Sequence, residues 1–232
     1  MNYAILLCGG TGTRLGANIP KQYLRVNGKA IMSYCMISAQ KHPDVDRIVI
    51  VAHEDWRDFI KNEIDNFGVD KFFCFADAGE SRQHSVLSGM KAIIDNAESV
   101  SADDKVIIHD AARPNLSEKL ITDSFDFGEY DCTLPVINVT DTTYYSEDGK
   151  EVTQLLNRDK LYGGQTPEGF YLKQFYDINM AMTDEQLSAV RGSCQAAFEA
   201  GLKVKMVPGD TNNYKITTIQ DYERFCIKTE NK

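Results

Sequence analysis

The chemistry-bearing residues of this 232-residue chain begin where its first apolar run ends. Residues 3–8 lead directly into Gly9-Gly10-Thr11-Gly12-Thr13-Arg14-Leu15-Gly16. Glycines in such a place let the backbone approach a ligand and aim its N–H groups at phosphate oxygens. Neither common phosphate loop is present. A dinucleotide fingerprint starting at Gly10 needs glycine where Leu15 stands, and no Gly-Lys-Ser/Thr closes the loop. Instead the loop carries its own cation, Arg14, and Lys21 follows in Ile19-Pro20-Lys21-Gln22-Tyr23. A guanidinium and an ammonium beside a Gly-rich turn can clamp a triphosphate from two sides. The plainer alternative is a tight turn with two solvated cations.

Other segments add polar groups after apolar runs. Asp110 closes Lys105-Val106-Ile107-Ile108-His109-Asp110. A carboxylate just past a buried strand can hold Mg²⁺ against phosphate oxygens, or cap the next helix. Gly79-Glu80-Ser81-Arg82-Gln83-His84-Ser85 reads by itself as a helix start with polar caps. Thr140-Asp141-Thr142 and Asn157-Arg158-Asp159 bracket a polar stretch that reads as a solvated hairpin, and Lys215 as an exposed cation among strand-like residues. His109 reads as structural. His42, His53 and His84 have no ligand spacing and read as surface or packing residues.

The elements that must position these groups alternate. Strand-like runs occupy 3–8, 47–52, 72–75, 105–109, 132–137 and 203–207. Helical spacing or composition occupies 29–41, 54–67, 81–97, 117–126 and 185–201. Strands covered on both faces by alternating helices give an α/β fold with a mostly parallel sheet. Residues 138–165 break the alternation. They are Thr- and Tyr-rich, contain the turn signal Glu147-Asp148-Gly149-Lys150, and predict a β-hairpin arm projecting from a single domain over 1–232.

Composition narrows the function classes. The net charge of −9 argues against coating nucleic acid. Six cysteines, the nearest pair 27 residues apart at Cys8 and Cys35, form no CxxC and point to reduced thiols in the cytoplasm. No apolar run has the length of a membrane span.

Taken together, Gly9-Gly10-Thr11-Gly12-Thr13-Arg14-Leu15 with Pro20-Lys21 resembles the signature of nucleotidyltransferases that activate sugar or polyol phosphates. Pro20-Lys21-Gln22-Tyr23-Leu24, His109-Asp110-Ala111-Ala112-Arg113-Pro114, Gln165-Thr166-Pro167 and Lys215-Ile216-Thr217 are similar, in order, to the cytidylyltransferases for methylerythritol phosphate and ribitol phosphate. The resemblance runs from residue 3 to about residue 225.

It implies a Rossmann-like sheet of the nucleotidyltransferase type. It also implies transfer of CMP from CTP to a small polyol phosphate with release of pyrophosphate, Mg²⁺ as cofactor, and a homodimer formed through the 138–165 arm. Arg14, Lys21 and Lys215 take catalytic places. Cys8, Gly9, Gly10, Gly12, Thr13, Gly79, Arg82, Ser85 and Ala111 surround the nucleotide. Thr142, Arg158 and Thr166 meet the acceptor's phosphate, and Asp110 the metal. Asn157 before Arg158, where the erythritol branch has Asp, leans toward ribitol 5-phosphate over 2-C-methyl-D-erythritol 4-phosphate, the acceptor of isoprenoid-precursor synthesis. A nucleotide-binding protein weakened in catalysis is the reading from another class, because a Thr-Asp pair of the family falls on Arg191-Gly192. Either Asp184 is recruited by a rearranged loop, or Asp110 and the triphosphate hold Mg²⁺ largely with water.

Overall fold

The computed structural model describes residues 1–10 and 19–230. Its strands are β1 (Asn2–Leu7), β2 (Arg25–Val26), β3 (Lys29–Ala30), β4 (Arg47–Ala52), β5 (Phe72–Asp77), β6 (Lys105–Asp110), β7 (Cys132–Asn138), β8 (Thr143–Tyr145), β9 (Gln154–Leu156), β10 (Tyr162–Gly164), β11 (Glu168–Tyr171) and β12 (Val204–Pro208). The helices are α1 (Ile31–Lys41), α2 (Arg57–Phe67), α3 (Arg82–Asn96), α4 (Glu118–Phe125), α5 (Leu172–Met180), α6 (Asp184–Ala189), α7 (Ser193–Glu199) and α8 (Ile219–Glu230).

Eight strands form the main sheet, in the order β10-β7-β11-β6-β1-β4-β5 with β12 on β7. The pairs β1–β4, β1–β6, β4–β5 and β7–β12 are parallel, while β11 inserts antiparallel between β6 and β7. The period-2 geometry of a strand explains why β1 is apolar throughout. Ala4 and Leu6 join one core with Met32, Met36, Ile60 and Leu120. Tyr3 and Ile5 join the other with Met90, Ile93, Phe175 and Ala197. From β1 the chain builds outward to β4 and β5 on one side, then returns to place β6 on the other. That reversal is a topological switch point, where the carboxyl ends of β1 and β6 open a crevice.

The expected alternation is present, with three differences. The helix predicted over 185–201 is two. A Thr183–Gln186 capping box starts α6, extended backbone at Val190 and Gly192 ends it, and α7 starts anew at Ser193. The arm is shorter than 138–165: β8 and β9 pair only with each other, whereas Tyr162–Gly164 return to the main sheet against β7. Finally β11, α5 and α8 lie in stretches without a sequence assignment. Phe170 and Phe175 stack at 3.8 Å to fasten β11 and α5, and α8 docks through Phe225 beside Val26 and Ile216. No helix among the described residues is long and apolar enough to cross a membrane.

Candidate active site

A cleft of about 490 Å³ opens at this switch point. Leu7, Gly9, Gly10, Lys21, Gln22, His53, Gly79, Glu80, Ser81, Arg82, Ser85, Asp110, Ala112 and Lys215 line it. Gly9, Gly10, Lys21, Gly79, Arg82, Ser85 and Lys215, most of the expected nucleotide and catalytic residues, therefore meet in one place from four separate segments, beside Asp110. Arg14, Gly12 and Thr13 lie outside the described residues.

The floor is built by close approach. A Cβ on Gly9 would collide with Ala78, and one on Gly79 would stand 2.9 Å from the backbone nitrogen of Ser85. Side chains at either position would push the two loops apart. The Ser85 hydroxyl accepts the Gly79 N–H at 3.0 Å, which leaves its own proton to donate into the cleft. Gln22, whose type alone signals no role in the sequence, clamps the start of the Gly-rich segment. Its side-chain amide donates to the Cys8 carbonyl at 2.6 Å and the Gly10 carbonyl at 2.7 Å. The 3₁₀ turn Lys21–Tyr23 is anchored by Tyr23, which stacks on Trp56 at 4.2 Å and donates its hydroxyl to the Cys8 carbonyl at 3.0 Å. That anchor sets Lys21, mostly buried, at the cleft wall.

Asp110 is the electrostatic centre. One carboxylate oxygen receives Arg82 Nε at 3.0 Å and the other Lys215 Nζ at 2.7 Å. Burial alone would raise its pKa. The two cations outweigh that and hold the carboxyl well below the usual range. Arg82 in turn gives Nη1 to the Ser193 hydroxyl at 2.8 Å and Nη2 to Glu168 at 2.9 Å. Burial would lower its pKa, but Asp110 and Glu168 raise it.

Behind Asp110 a short relay fixes its backbone. The Asp110 N–H donates to Thr166 Oγ1 at 3.2 Å, which lies 3.1 Å from His109 Nδ1, while His109 Nε2 faces the Arg113 carbonyl at 3.0 Å. The carbonyl demands a proton on Nε2, so Nδ1 accepts from Thr166. Burial pushes the His109 pKa down to about 4, which keeps this neutral tautomer.

Three of the residues expected to touch ligand lie behind the cleft lining. Cys8 and Ala111 are fully buried and do not line the cleft. The Cys8 N–H serves Val51, the Ala111 N–H serves Leu7, and the Cys8 carbonyl serves Gln22 and Tyr23. Thr166 is also buried, and its hydroxyl is committed to Asp110 and His109 rather than to an incoming phosphate. His53, read as surface or packing, lines the cleft and lies 3.0 Å from the Gly9 carbonyl. Thr142 and Arg158 sit on the arm, away from the cleft lining, and Arg158 donates to the Thr140 carbonyl at 2.8 Å.

Asp184 lies outside the cleft lining. Its exposed carboxylate stands 3.5 Å from His84 Nε2. Among the described residues no three His, Cys, Asp or Glu side chains gather to hold a metal. Asp110 is thus the cleft's buried carboxylate, and Mg²⁺, which binds through one or two carboxylates plus phosphate oxygens, suits such a donor. Glu168 and Ser193 had no sequence signal, because their importance lies in touching Arg82 from β11 and α7.

The comparisons with known proteins agree with this geometry. The family model of IspD, 2-C-methyl-D-erythritol 4-phosphate cytidylyltransferase, matches residues 3–226. The chain is 31% identical over 225 residues to a ribitol-5-phosphate cytidylyltransferase of Streptococcus pneumoniae, covering 95% of each. Among solved structures it resembles 4-diphosphocytidyl-2C-methyl-D-erythritol synthase from Anaerococcus prevotii at a TM-score of 0.82 and 24% identity, covering 99% of this chain and 96% of that one. It also resembles the Francisella tularensis 2-C-methyl-D-erythritol 4-phosphate cytidylyltransferase at 0.78 and 25%, covering 97% of each. A polar cleft of about 490 Å³ at the switch point and a match along nearly the whole chain lead to one conclusion: this chain is a nucleotidyltransferase that belongs to the IspD family of cytidylyltransferases.

Proposed function

We propose that the chain transfers CMP from CTP to ribitol 5-phosphate and releases pyrophosphate. The observation that carries this reading is the convergence of Lys21, Arg82, Asp110 and Lys215 on one cleft, in a chain that matches a ribitol-5-phosphate cytidylyltransferase over 95% of its length. The acceptor's phosphate oxygen attacks the α-phosphorus of CTP in line. Little covalent chemistry falls to the protein, whose work is positioning and charge neutralisation. Lys21, with Arg14, stabilises the charge on the pentacoordinate centre and the leaving pyrophosphate. Lys215 leaves Asp110 to sit between the two phosphates, which otherwise repel. Asp110 would then hold Mg²⁺, which neutralises phosphate oxygens when bound. Ser85 and backbone groups near Gly79 read the cytosine edge.

Thr142 and Arg158 meet the acceptor's phosphate in the cleft of a second copy, so the working form is a homodimer in the cytoplasm. This reading is supported by apolar arm side chains left uncovered by their own chain: Tyr144 is 59% exposed and Leu155 64%.

The family description favours a second acceptor, 2-C-methyl-D-erythritol 4-phosphate. Pyrophosphate release with CTP and a panel of C4 and C5 polyol phosphates separates the two. Ribitol 5-phosphate is expected to give the highest kcat/KM, and equal or exclusive use of the methylerythritol compound would overturn the ordering.

A further inference from the structure

Glu168 is a buried carboxylate that the reaction above does not use. It sits on β11 opposite Ile108 of β6, two residues before Asp110. Paired residues and their i+2 neighbours share one face of a sheet, so Glu168 and Asp110 project to the same side. Arg82 bridges them, giving Nε to Asp110 and Nη2 to Glu168. The other Glu168 oxygen accepts the Cys194 N–H at 2.8 Å, which ties the carboxylate to the start of α7. Ser193 takes Arg82 Nη1 from the same turn.

A guanidinium has five N–H donors in one plane. Three are spent on Asp110, Ser193 and Glu168, and these contacts fix the plane. One proton on each terminal nitrogen remains, and Arg82 lines the cleft with its side chain 23% exposed. A cation so gripped cannot swing out to embrace a triphosphate. It can only present its two spare donors at a set place.

Gly192 lies against this grip. Its φ of −152° is open to any residue, so the backbone does not require glycine. A Cβ there would stand 3.5 Å from Glu168 Oε1, and a carboxylate at 192 would crowd the one at 168.

We propose that Glu168 is a positioning residue of the transfer reaction: from β11 it locks Arg82 against Asp110, at a place that a side chain on residue 192 would also reach. The proposal rests on the cytidylyl-transfer reading. Without Glu168, Arg82 keeps Asp110 as its one carboxylate partner and turns to the CTP phosphates before the reaction. Ground-state binding then tightens while turnover falls.

The test uses the full chain with CTP and the polyol phosphate that gives turnover, and the variants Glu168→Gln, Glu168→Asp, Gly192→Asp and Glu168→Gln/Gly192→Asp. Glu168→Gln is expected to lose at least tenfold in kcat while its CTP dissociation constant, by calorimetry, falls about threefold. Glu168→Asp, which keeps the charge but shortens the reach, is expected to lie between it and wild type, and stands in should Glu168→Gln not fold. Gly192→Asp alone lowers kcat by crowding, and in the Glu168→Gln background it restores kcat to within about threefold of wild type. A merely structural Glu168 would weaken CTP binding and kcat together, with no rescue by the double variant, and that result overturns the proposal. So does wild-type turnover in Glu168→Gln. If the wild-type chain releases no pyrophosphate with any acceptor, the transfer reading falls. The calorimetric comparison of CTP binding then decides Glu168 by itself, and equal affinity overturns it.

Discussion

Lys215 Nζ stands 2.7 Å from one oxygen of Asp110, a carboxylate 105 residues away in sequence. In the absence of substrate the two neutralise each other, and the arrival of phosphates gives Lys215 a second anion to serve. The lysine side chain is 39% exposed, so its removal costs little packing. Lys215→Ala is expected to melt close to wild type yet lose at least 100-fold in kcat, about 2.7 kcal/mol of transition-state stabilisation. A variant that keeps a third of wild-type turnover would remove Lys215 from the mechanism.

Lys21 is set in the cleft wall by the Tyr23–Trp56 stack and the Gln22 clamp. Those anchors do not depend on its ammonium. Lys21→Ala is therefore expected to fold normally and lose most of its turnover. Circular dichroism and single-turnover pyrophosphate release check the two halves of that statement. Near-wild-type kcat would sink the role.

Ser85 accepts the Gly79 N–H and keeps one proton for the cleft. Ser85→Ala removes the donor proposed to read the base and leaves a part-buried N–H without this acceptor. Each such loss is worth about 1–3 kcal/mol. KM for CTP is expected to rise ~10- to 100-fold, with a smaller change in kcat. Discrimination between CTP and UTP should narrow as well. Unchanged CTP affinity would assign the reading of the base to other groups.

The cleft was legible in the sequence wherever a motif follows a strand. Gly9, Gly10, Lys21, Gly79, Ser85 and Asp110 are such positions, because the carboxyl end of a parallel strand is where ligands bind. Glu168 was not. It lies in an antiparallel strand that inverts the pattern, and its partner Arg82 is 86 residues away. Thr166 carried a motif yet faces inward, since the hydroxyl that its neighbours imply for a ligand goes to the Asp110 N–H. In the fold, β11 and α5 carry little sequence signal because a four-residue strand and the helix that follows it run on without a turn signal between Tyr171 and Leu172.

His109 makes the site sensitive to acid. Burial holds its pKa at about 4, against an ordinary 6.5. A depressed folded-state pKa means that the unfolded chain takes up the proton first. The stability from neutral His109 is complete above about pH 6.5 and is lost as pH falls toward 4. The difference of 2.5 units amounts to about 3 kcal/mol. Protonation also puts a hydrogen on Nδ1, so the His109–Thr166 bond must reverse and the Thr166 hydroxyl proton loses its acceptor. His109→Gln keeps a donor and an acceptor without titrating. Its Tm should fall less than that of wild type between pH 7 and pH 4.5, and parallel Tm–pH curves would dismiss the effect.

The arm supplies the test of whether two copies share each cleft. Tyr144 and Leu155 are a cross-strand pair of the β8–β9 hairpin, so their exposed rings and methyls share one face. If Arg158 serves the cleft of a second copy, Lys21→Ala and Arg158→Ala damage different halves of each site. Each variant alone should be nearly inactive. In a mixed dimer one cleft then carries both lesions and the other carries neither. Random mixing makes half the dimers mixed, each with one intact site of two, so activity should return to about a quarter of wild type. Leu155→Glu, which puts a charge on the shared apolar face, should abolish both that recovery and the dimer in sedimentation. An arm that serves its own chain would leave the mixture as inactive as its parts.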